Sequence, residues 1–421
     1  MILSPWLLLI ACDPYAAWPE PEEVFPWVVA PEEGVEAWQL ARVETETWRP
    51  LEDLEPTGQY VRKSFELKPG ASPDVLAHHE AMRSALPRLE GGDLRLSLVG
   101  DVMWTGGGWA TLAVGVADLV DGDLRVGNLE TPTSPHHPTG LGDLGLYAFN
   151  ADPSLLDSLP LDVLQLTNNH TLDAGDGGLE ATIAEVEARG LVPTGVDGQA
   201  TVDVDGVRVA LLAYTWGMND REALATTPHD LHVVPFGHLD ASVDLQPVAD
   251  DIAAARSEGA EIVVVLPHWG FEYELFADPH FLRLGRRLIE AGADLVAGQG
   301  PHVVQPAELC HVNRPEVVPG IGTCALRTDD GLPRTAALLP SLGNFGASPS
   351  LARPELRAGI VAHVGLRAGE GVTGLAWEGV VSLREGEGAP LVPLDQAAQD
   401  DADQAAEAER LAAHLGTGWR R

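Results

Sequence analysis

Residues 95–101 read RLSLVGD: a short run of strand-forming residues that ends on an aspartate, Asp101. Four further runs along the chain end in the same way. LRVG at 124–127 leads into Asn128 and Glu130, and VLQLT at 163–167 into Asn168, Asn169 and His170. IVVVLP at 262–267 delivers His268, and DLVAGQGP at 294–301 delivers His302. In an open α/β sheet, ligand sites lie off the carboxyl ends of the strands. One polar residue after a strand is ordinary turn chemistry. Five such ends, bearing Asp, Asn, Glu and three His, point to a single shared site. Carboxylate, amide oxygen and imidazole together suit a divalent Mn, Fe or Zn ion better than calcium or a thiolate-bound zinc.

Outward from these runs, the chain alternates strand and helix patterns from Asp93 onward. Strands are predicted at 94–100, 124–129, 161–167, 191–195, 207–214, 261–267 and 294–298. Helices are predicted at 152–159, 177–189, 246–258 and 279–291, with Gly190 and Gly259 where C-terminal caps belong. This alternation argues for an α/β fold with a largely parallel sheet covered on both sides. Residues 334–346 and 358–385 read as further strands, a candidate second sheet. Residues 396–415 read as an acidic, Ala-rich helix appended to the surface. Before Asp93, residues 13–35 are rich in Pro, Glu and Trp and read as a tether. Residues 72–90 read as a helix with Ser72 as N-cap and Pro73 in its first turn.

The composition narrows the function classes. The chain has 421 residues, 45% hydrophobic and 21% charged, with a formal net charge of -37, and its only lysines are Lys63 and Lys68. So acidic a surface repels nucleic acid and anionic lipid, and nucleic-acid binding is excluded on that ground. It also opposes a polyanionic substrate unless a metal or local arginines reverse the field. The first residues, MILSPWLLLIAC, are apolar over too short a stretch to span a bilayer. Leu9-Ile10-Ala11-Cys12 matches a bacterial lipobox, although the preceding residues lack the usual Lys or Arg. The expectation is a signal peptide over 1–12 and an exported lipoprotein anchored to the membrane through Cys12. Export would make a bridge between Cys310 and Cys324 plausible, adding roughly 3 kcal/mol in the chain-entropy model; two free thiols are the alternative.

Six blocks in a fixed order carry a family resemblance: LVGDVM at 98–103, GNLETP at 127–132, LTNNHTLDAGDGGLEAT at 166–182, LPHWGFEYE at 266–274, AGADLVAGQGPHVVQPAE at 291–308 and LPSLGNF at 339–345. Together they resemble the poly-γ-glutamate capsule biosynthesis (CapA-type) proteins, relatives of the calcineurin-like metallophosphoesterases. The resemblance implies a four-layer α/β sandwich, two central β-sheets flanked by helices, over residues 93–385. It follows an N-terminal tether and helical extension over 13–92 and precedes an acidic C-terminal helix over 386–421.

The resemblance also implies a centre of one or two divalent metal ions. Asp101, Asn169, His268 and His302 match its ligands. Asn128 or Glu130 supplies a further one, a choice the residues leave open. His170 matches the histidine that faces substrate, and His titrates in the range useful for protonating a leaving oxygen. Glu272 and Tyr273 are candidates to orient His268 or touch substrate. Asp173 and Asp176 count against an anion at the start of the following helix. One departure stands out: where the family usually has His-Pro-His, this chain has Gly300-Pro301-His302. The implied activity is metal-dependent hydrolysis of a phosphoester or envelope-polymer linkage. The implied partners are an anionic polymer of poly-γ-glutamate type and other envelope biosynthesis proteins. The alternative is a non-catalytic, metal-dependent scaffold for that polymer.

Overall fold

The structure is a computed structural model. It describes residues 94–415 apart from 104, 140–147, 235, 237–242, 276, 278, 317–322, 329, 349–353 and 384–388. The lipobox at Cys12, the tether and the helix expected at 72–90 therefore lie outside the described residues.

Fourteen strands share one hydrogen-bonded sheet. They are β1 Leu94–Val102, β2 Leu124–Leu129, β3 Val163–Gln165, β4 Val192–Thr194, β5 Ala200–Val204, β6 Val207–Thr215, β7 Ile262–His268, β8 Leu295–Ala297, β9 Glu308–Val312, β10 Thr323–Leu326, β11 Arg334–Leu339, β12 Ala358–Arg367, β13 Gly371–Ser382 and β14 Leu391–Pro393. Among the described residues seven α-helices accompany them: α1 Leu155–Ser158, α2 Gly175–Ala188, α3 Arg221–Thr226, α4 Gln246–Ser257, α5 Pro279–Glu290, α6 Leu394–Ala397 and α7 Ala402–Leu415.

The main path runs β4-β3-β2-β1-β12-β13-β11-β8-β7-β6-β5. Its first half is parallel from β4 to β1, then antiparallel through β12 and β13. Its second half is parallel from β11 to β6. The halves meet through one register pair, Thr335 with Gly371. At the far ends the Thr194 hydroxyl donates to the Leu211 carbonyl at 2.7 Å. The fold is therefore mixed α/β, and the two expected sheets form a single path that curls until its ends approach.

Three apolar clusters explain that shape. One lies between the inner faces and takes Leu96, Leu98 and Val126 from the first half with Leu211, Val264 and Leu295 from the second. A second lies under α4 and α5, with Val248, Ile252, Leu284 and Leu288 against Val263 and Val265. A third lies outside β1–β3, with Leu155 and Val186 against Val99 and Leu164. All seven residues of β7 are buried, as expected for a parallel strand covered on both faces.

The sequence reading locates the elements with long apolar runs and misses short ones. β5, β9, β10, β14 and α3 were not expected. The helix expected at 152–159 shrinks to four residues between Pro153 and Pro160. The segment 358–385 divides into β12 and β13, with Gly369 at φ 77° in the turn. The expected appendage at 396–415 is a correction: it splits into α6 and α7, and Ala408, Leu411 and Leu415 of α7 join the inner cluster. An amphipathic face was present, but only the curled sheet shows what it covers. Arg286 of α5 is buried and paired with both oxygens of Glu308, at 3.0 and 2.8 Å. The Cys310–Cys324 disulfide is present and joins in-register residues of β9 and β10.

Candidate metal centre

Asp101 enters the site because β1 is wedged between parallel β2 and antiparallel β12 and then continues along the 343–345 segment. Its backbone N–H donates to the Gly343 carbonyl at 2.9 Å, and its carbonyl accepts from Phe345 at 2.8 Å. Its carboxylate is fully buried. Oδ1 accepts from Asn128 Nδ2 at 2.8 Å, Oδ2 accepts from the Gly300 amide at 3.1 Å, and His302 Nδ1 lies 3.0 Å from Oδ2. Burial pushes this carboxyl upward, but the His302 hydrogen bond, the charges of His302 and His268 and the Asn128 bond outweigh it and hold it below its ordinary value.

β2 delivers two candidates, and their surroundings separate them. The Asn128 amide is engaged on both sides. Nδ2 faces Asp101 and lies 3.4 Å from His268 Nδ1, while Oδ1 accepts from Asn168 Nδ2 at 3.0 Å. Glu130 is as deeply buried, yet neither of its oxygens has a hydrogen-bond partner. Its Oε1 lies 3.5 Å from His268 Nε2 and 3.7 Å from His302 Nε2. Burial, with the Asp101 charge behind it, pushes the Glu130 carboxyl well above the usual range. Burial pushes His268 down to about 3. His302 goes the other way, raised to about 10, because Glu130 and Asp101 outweigh the burial that would lower it.

The other loops bring the rest. His268 ends β7, bridged to Gln299, whose carbonyl accepts from Trp269 at 2.9 Å. His302 has φ 57°, a left-handed backbone that turns its ring back toward β1. Asn344 Oδ1 lies 3.2 Å from its Nδ1. Tyr273, at φ 65°, donates its amide to the Pro301 carbonyl at 2.8 Å and sets its ring 6.2 Å from that of His302. Glu272 acts through charge on Glu130 and His302.

Asp101, Asn128, Glu130, His268 and His302 thus form one contact network. His170 joins it through Asn168, whose Oδ1 accepts the His170 amide at 3.0 Å. Asn169 sits at the edge: its Nδ2 donates to Asn219 Oδ1 at 3.4 Å, and its own Oδ1 is buried without a partner. Sequence reasoning left out Asn168 as a connector, Asn219 beside His170, and Phe149, which stacks on the His170 ring with centroids 4.3 Å apart. No local signal marks Asn219 or Phe149, because each meets His170 only across the fold.

The donor set fits a divalent cation. Asp101, Glu130 and His268 each offer one ligand atom, all within 4.8 Å of one another. A buried, unpartnered carboxylate is costly unless a positive charge meets it. A second grouping, Glu308 with Cys310 and Cys324, meets the same distance criterion. There the sulfurs are bonded to each other and Glu308 is paired with Arg286, so it offers no comparable set. Gly300 lies against His268. A Cβ there, at φ 108°, would stand 2.9 Å from the Trp269 carbonyl oxygen and 3.2 Å from His268 Nε2.

Comparison with known proteins gives this site a setting. The PGA biosynthesis protein CapA of Bacillus subtilis (strain 168) is 26% identical over 197 residues, covering 44% of this chain and 49% of that protein. The capsule biosynthesis protein CapA of Bacillus anthracis is 33% identical over 201 residues, covering 44% and 47%. The chain spans about half the length of these curated relatives. Among solved structures, the calcineurin-like phosphoesterase YfkN from Bacillus subtilis aligns over 69% of this chain and 90% of its own. It does so at 13% identity and a TM-score of 0.37, a likeness too slight to argue from. The family model for the bacterial capsule synthesis protein PGA_cap matches residues 95–345, more than half of the chain and every strand end that builds the site. The chain belongs to that family.

Proposed function

We propose that this protein is a metal-dependent hydrolase of a phosphoester or related linkage, working in the synthesis or export of an anionic capsule polymer. The observation that carries the reading is Glu130: a fully buried carboxylate with both oxygens unpartnered, facing Asp101, His268 and His302. Asp101, Glu130 and His268 would hold the ion, with His302 beside them. Glu130 is preferred to Asn128, whose amide is already engaged. Asn169 would turn its free oxygen inward, and His170 would protonate the leaving oxygen. A bound Mn, Fe or Zn ion supplies Lewis acidity and positive charge to reacting oxygens. That charge also answers the acidity of the surface, which otherwise opposes an anionic substrate. In this proposal the two halves of the curled sheet act as the two β layers of a four-layer sandwich, with helices outside. Anchorage at Cys12 would place the site at the cell envelope. Among the described residues no helix is long and apolar enough to cross a membrane.

A second reading has its own support. Gly300, where the family resemblance leads one to expect a histidine, and the net charge of -37 favour a scaffold that holds an ion and a polymer carboxylate without turnover. Metal analysis of the purified protein, followed by Mn²⁺-stimulated turnover of bis(p-nitrophenyl) phosphate, separates the two. Hydrolysis predicts turnover that Asp101→Ala and His268→Ala each abolish. Metal and poly-γ-glutamate binding with no turnover would leave the scaffold.

A further inference from the structure

The carboxyl end of β6 also reaches the centre, through a residue that the five strand ends of the sequence reading did not include. After Thr215, the last residue of β6, come Trp216, Gly217, Met218 and Asn219. This turn is tied down along its length. The Trp216 amide donates to the His268 carbonyl at 3.1 Å, and the Thr215 hydroxyl donates to the Gly217 carbonyl at 3.0 Å. Met218 is buried with Leu172, Leu179 and Leu231. Asp220 caps α3 by accepting the Ala223 amide at 2.8 Å. Between these anchors the backbone N–H of Asn219 donates to the Asn169 carbonyl at 2.8 Å. Two asparagines 50 positions apart are thereby set side by side.

We infer that Asn219 is a positioning residue for Asn169: by accepting from Nδ2 it fixes which end of the Asn169 carboxamide is offered to a cation. The two ends of a carboxamide are alike in size and opposite in polarity. The oxygen attracts a cation and the NH₂ group repels one. A half-turn about χ2 exchanges them at little steric cost, because that torsion has a broad, two-fold profile. Asn219 breaks the tie. Its Oδ1 lies 3.4 Å from Asn169 Nδ2, which leaves Asn169 Oδ1 buried and without a hydrogen-bond partner. Turned round, Asn169 would set its oxygen against that of Asn219. The side-chain contact is long, and the backbone bond at 2.8 Å keeps the two residues paired. Asn219 is steadied from its other end, where Nδ2 rests 3.3 and 3.4 Å from the two ring nitrogens of His170. The neighbouring Asn168 ties the same loop to β2, its Nδ2 donating to Asn128 Oδ1 and the Leu129 carbonyl at 3.0 and 2.8 Å. Outer partners that orient a ligand are worth about 10- to 100-fold in metal affinity. The inference rests on the reading of Asn169 as a ligand, and its test separates the two.

A double-mutant cycle read by calorimetric titration with Mn²⁺ tests this, with thermal melts of each protein alongside. Asn219→Ala in the full chain is expected to weaken Mn²⁺ binding about 10- to 100-fold. Asn169→Ala should weaken it at least as much. In the Asn169→Ala background, Asn219→Ala should then add less than about threefold, because a residue that acts through Asn169 has nothing left to act on. Asn219→Asp keeps an oxygen that can accept from Asn169 Nδ2 and adds a charge. Its effect in the Asn169→Ala background measures that charge alone. With the charge subtracted, Asn219→Asp should bind Mn²⁺ as the native protein does. Native affinity in Asn219→Ala overturns the inference. So does an equal loss from Asn219→Ala in both backgrounds, or an early-melting Asn219→Ala whose lost binding Asn219→Asp does not restore, which would make the role merely structural. Native affinity in Asn169→Ala, or a native protein that binds no Mn²⁺, removes Asn169 as a ligand and the inference with it. If the cycle behaves as expected but bis(p-nitrophenyl) phosphate is not turned over, the positioning role stands and the hydrolase reading falls.

Discussion

At the scale of single residues, Glu130 bears the most weight. A buried carboxylate whose two oxygens lack partners destabilises the folded chain until a cation meets it. Glu130→Gln keeps the shape and removes the charge. The metal-free variant is therefore expected to melt at or above the native temperature, and the rise that Mn²⁺ gives the native protein should vanish. At an ion concentration of 100 times Kd that rise corresponds to about 2.7 kcal/mol. Thermal melts with and without Mn²⁺ read both effects, and an undiminished Mn²⁺ rise in the variant would remove Glu130 from the site. Gly300 invites the opposite experiment, restoring a histidine. Its φ of 108° and the nearness of Trp269 and His268 leave no room for one. Gly300→His should lower the melting temperature, a loss of about 1–3 kcal/mol, with no gain in bound metal; an added equivalent of metal would show that the loop yields. That Asp101, Glu130, His268 and His302 come together was legible in the sequence because each lies at or just beyond the end of an apolar run. The choice between Asn128 and Glu130 was not, since it turns on Asn168, a residue 40 positions from Asn128 whose amide occupies its oxygen.

At the scale of elements, legibility followed burial. β6 and β7 are long apolar runs covered on both faces, and their limits were read to within a residue or so. β9 and β10 were not seen. β10 has only four residues, and β9 follows directly on the Pro-containing loop after His302. What holds this outlying pair to the body is β11 on one side and the Cys310–Cys324 bridge between them. The bridge spans a sequence separation of 14. Replacing both cysteines with alanine is thus expected to lower unfolding free energy by about 3 kcal/mol in the chain-entropy model. Urea denaturation measures this, and a double variant as stable as the native protein would show that β11 alone holds the pair. Metal affinity should change little, because the proposed ligands Asp101, Glu130 and His268 lie on β1, just after β2 and at the end of β7.

At the scale of the whole molecule, the last described helix packs against the segments that carry the site. α7 seemed from sequence a loose acidic appendage, yet Leu411 is fully buried and shares the inner cluster with Val304 and Leu342. Val304 lies two residues beyond His302 and is bridged to Leu342, and Gly343 beside Leu342 accepts the Asp101 amide. Arg410 Nη1 reaches the Val304 carbonyl at 3.5 Å. The helix therefore packs behind the two segments that set His302 and Asp101, and a defect there should be felt at the ion. Leu411→Ala deletes a core side chain and is expected to cost about 2–5 kcal/mol. It should weaken Mn²⁺ binding too, by freeing the loop that carries His302. Ile262→Ala is the matched control. It removes an equally buried residue of the same cluster, six positions and roughly 20 Å along β7 from His268. Calorimetric titration with Mn²⁺ at a temperature where both variants are folded decides the matter. Equal loss of affinity in the two would reduce the effect to general destabilisation, whereas a loss confined to Leu411→Ala would make the C-terminal helix a working part of the centre.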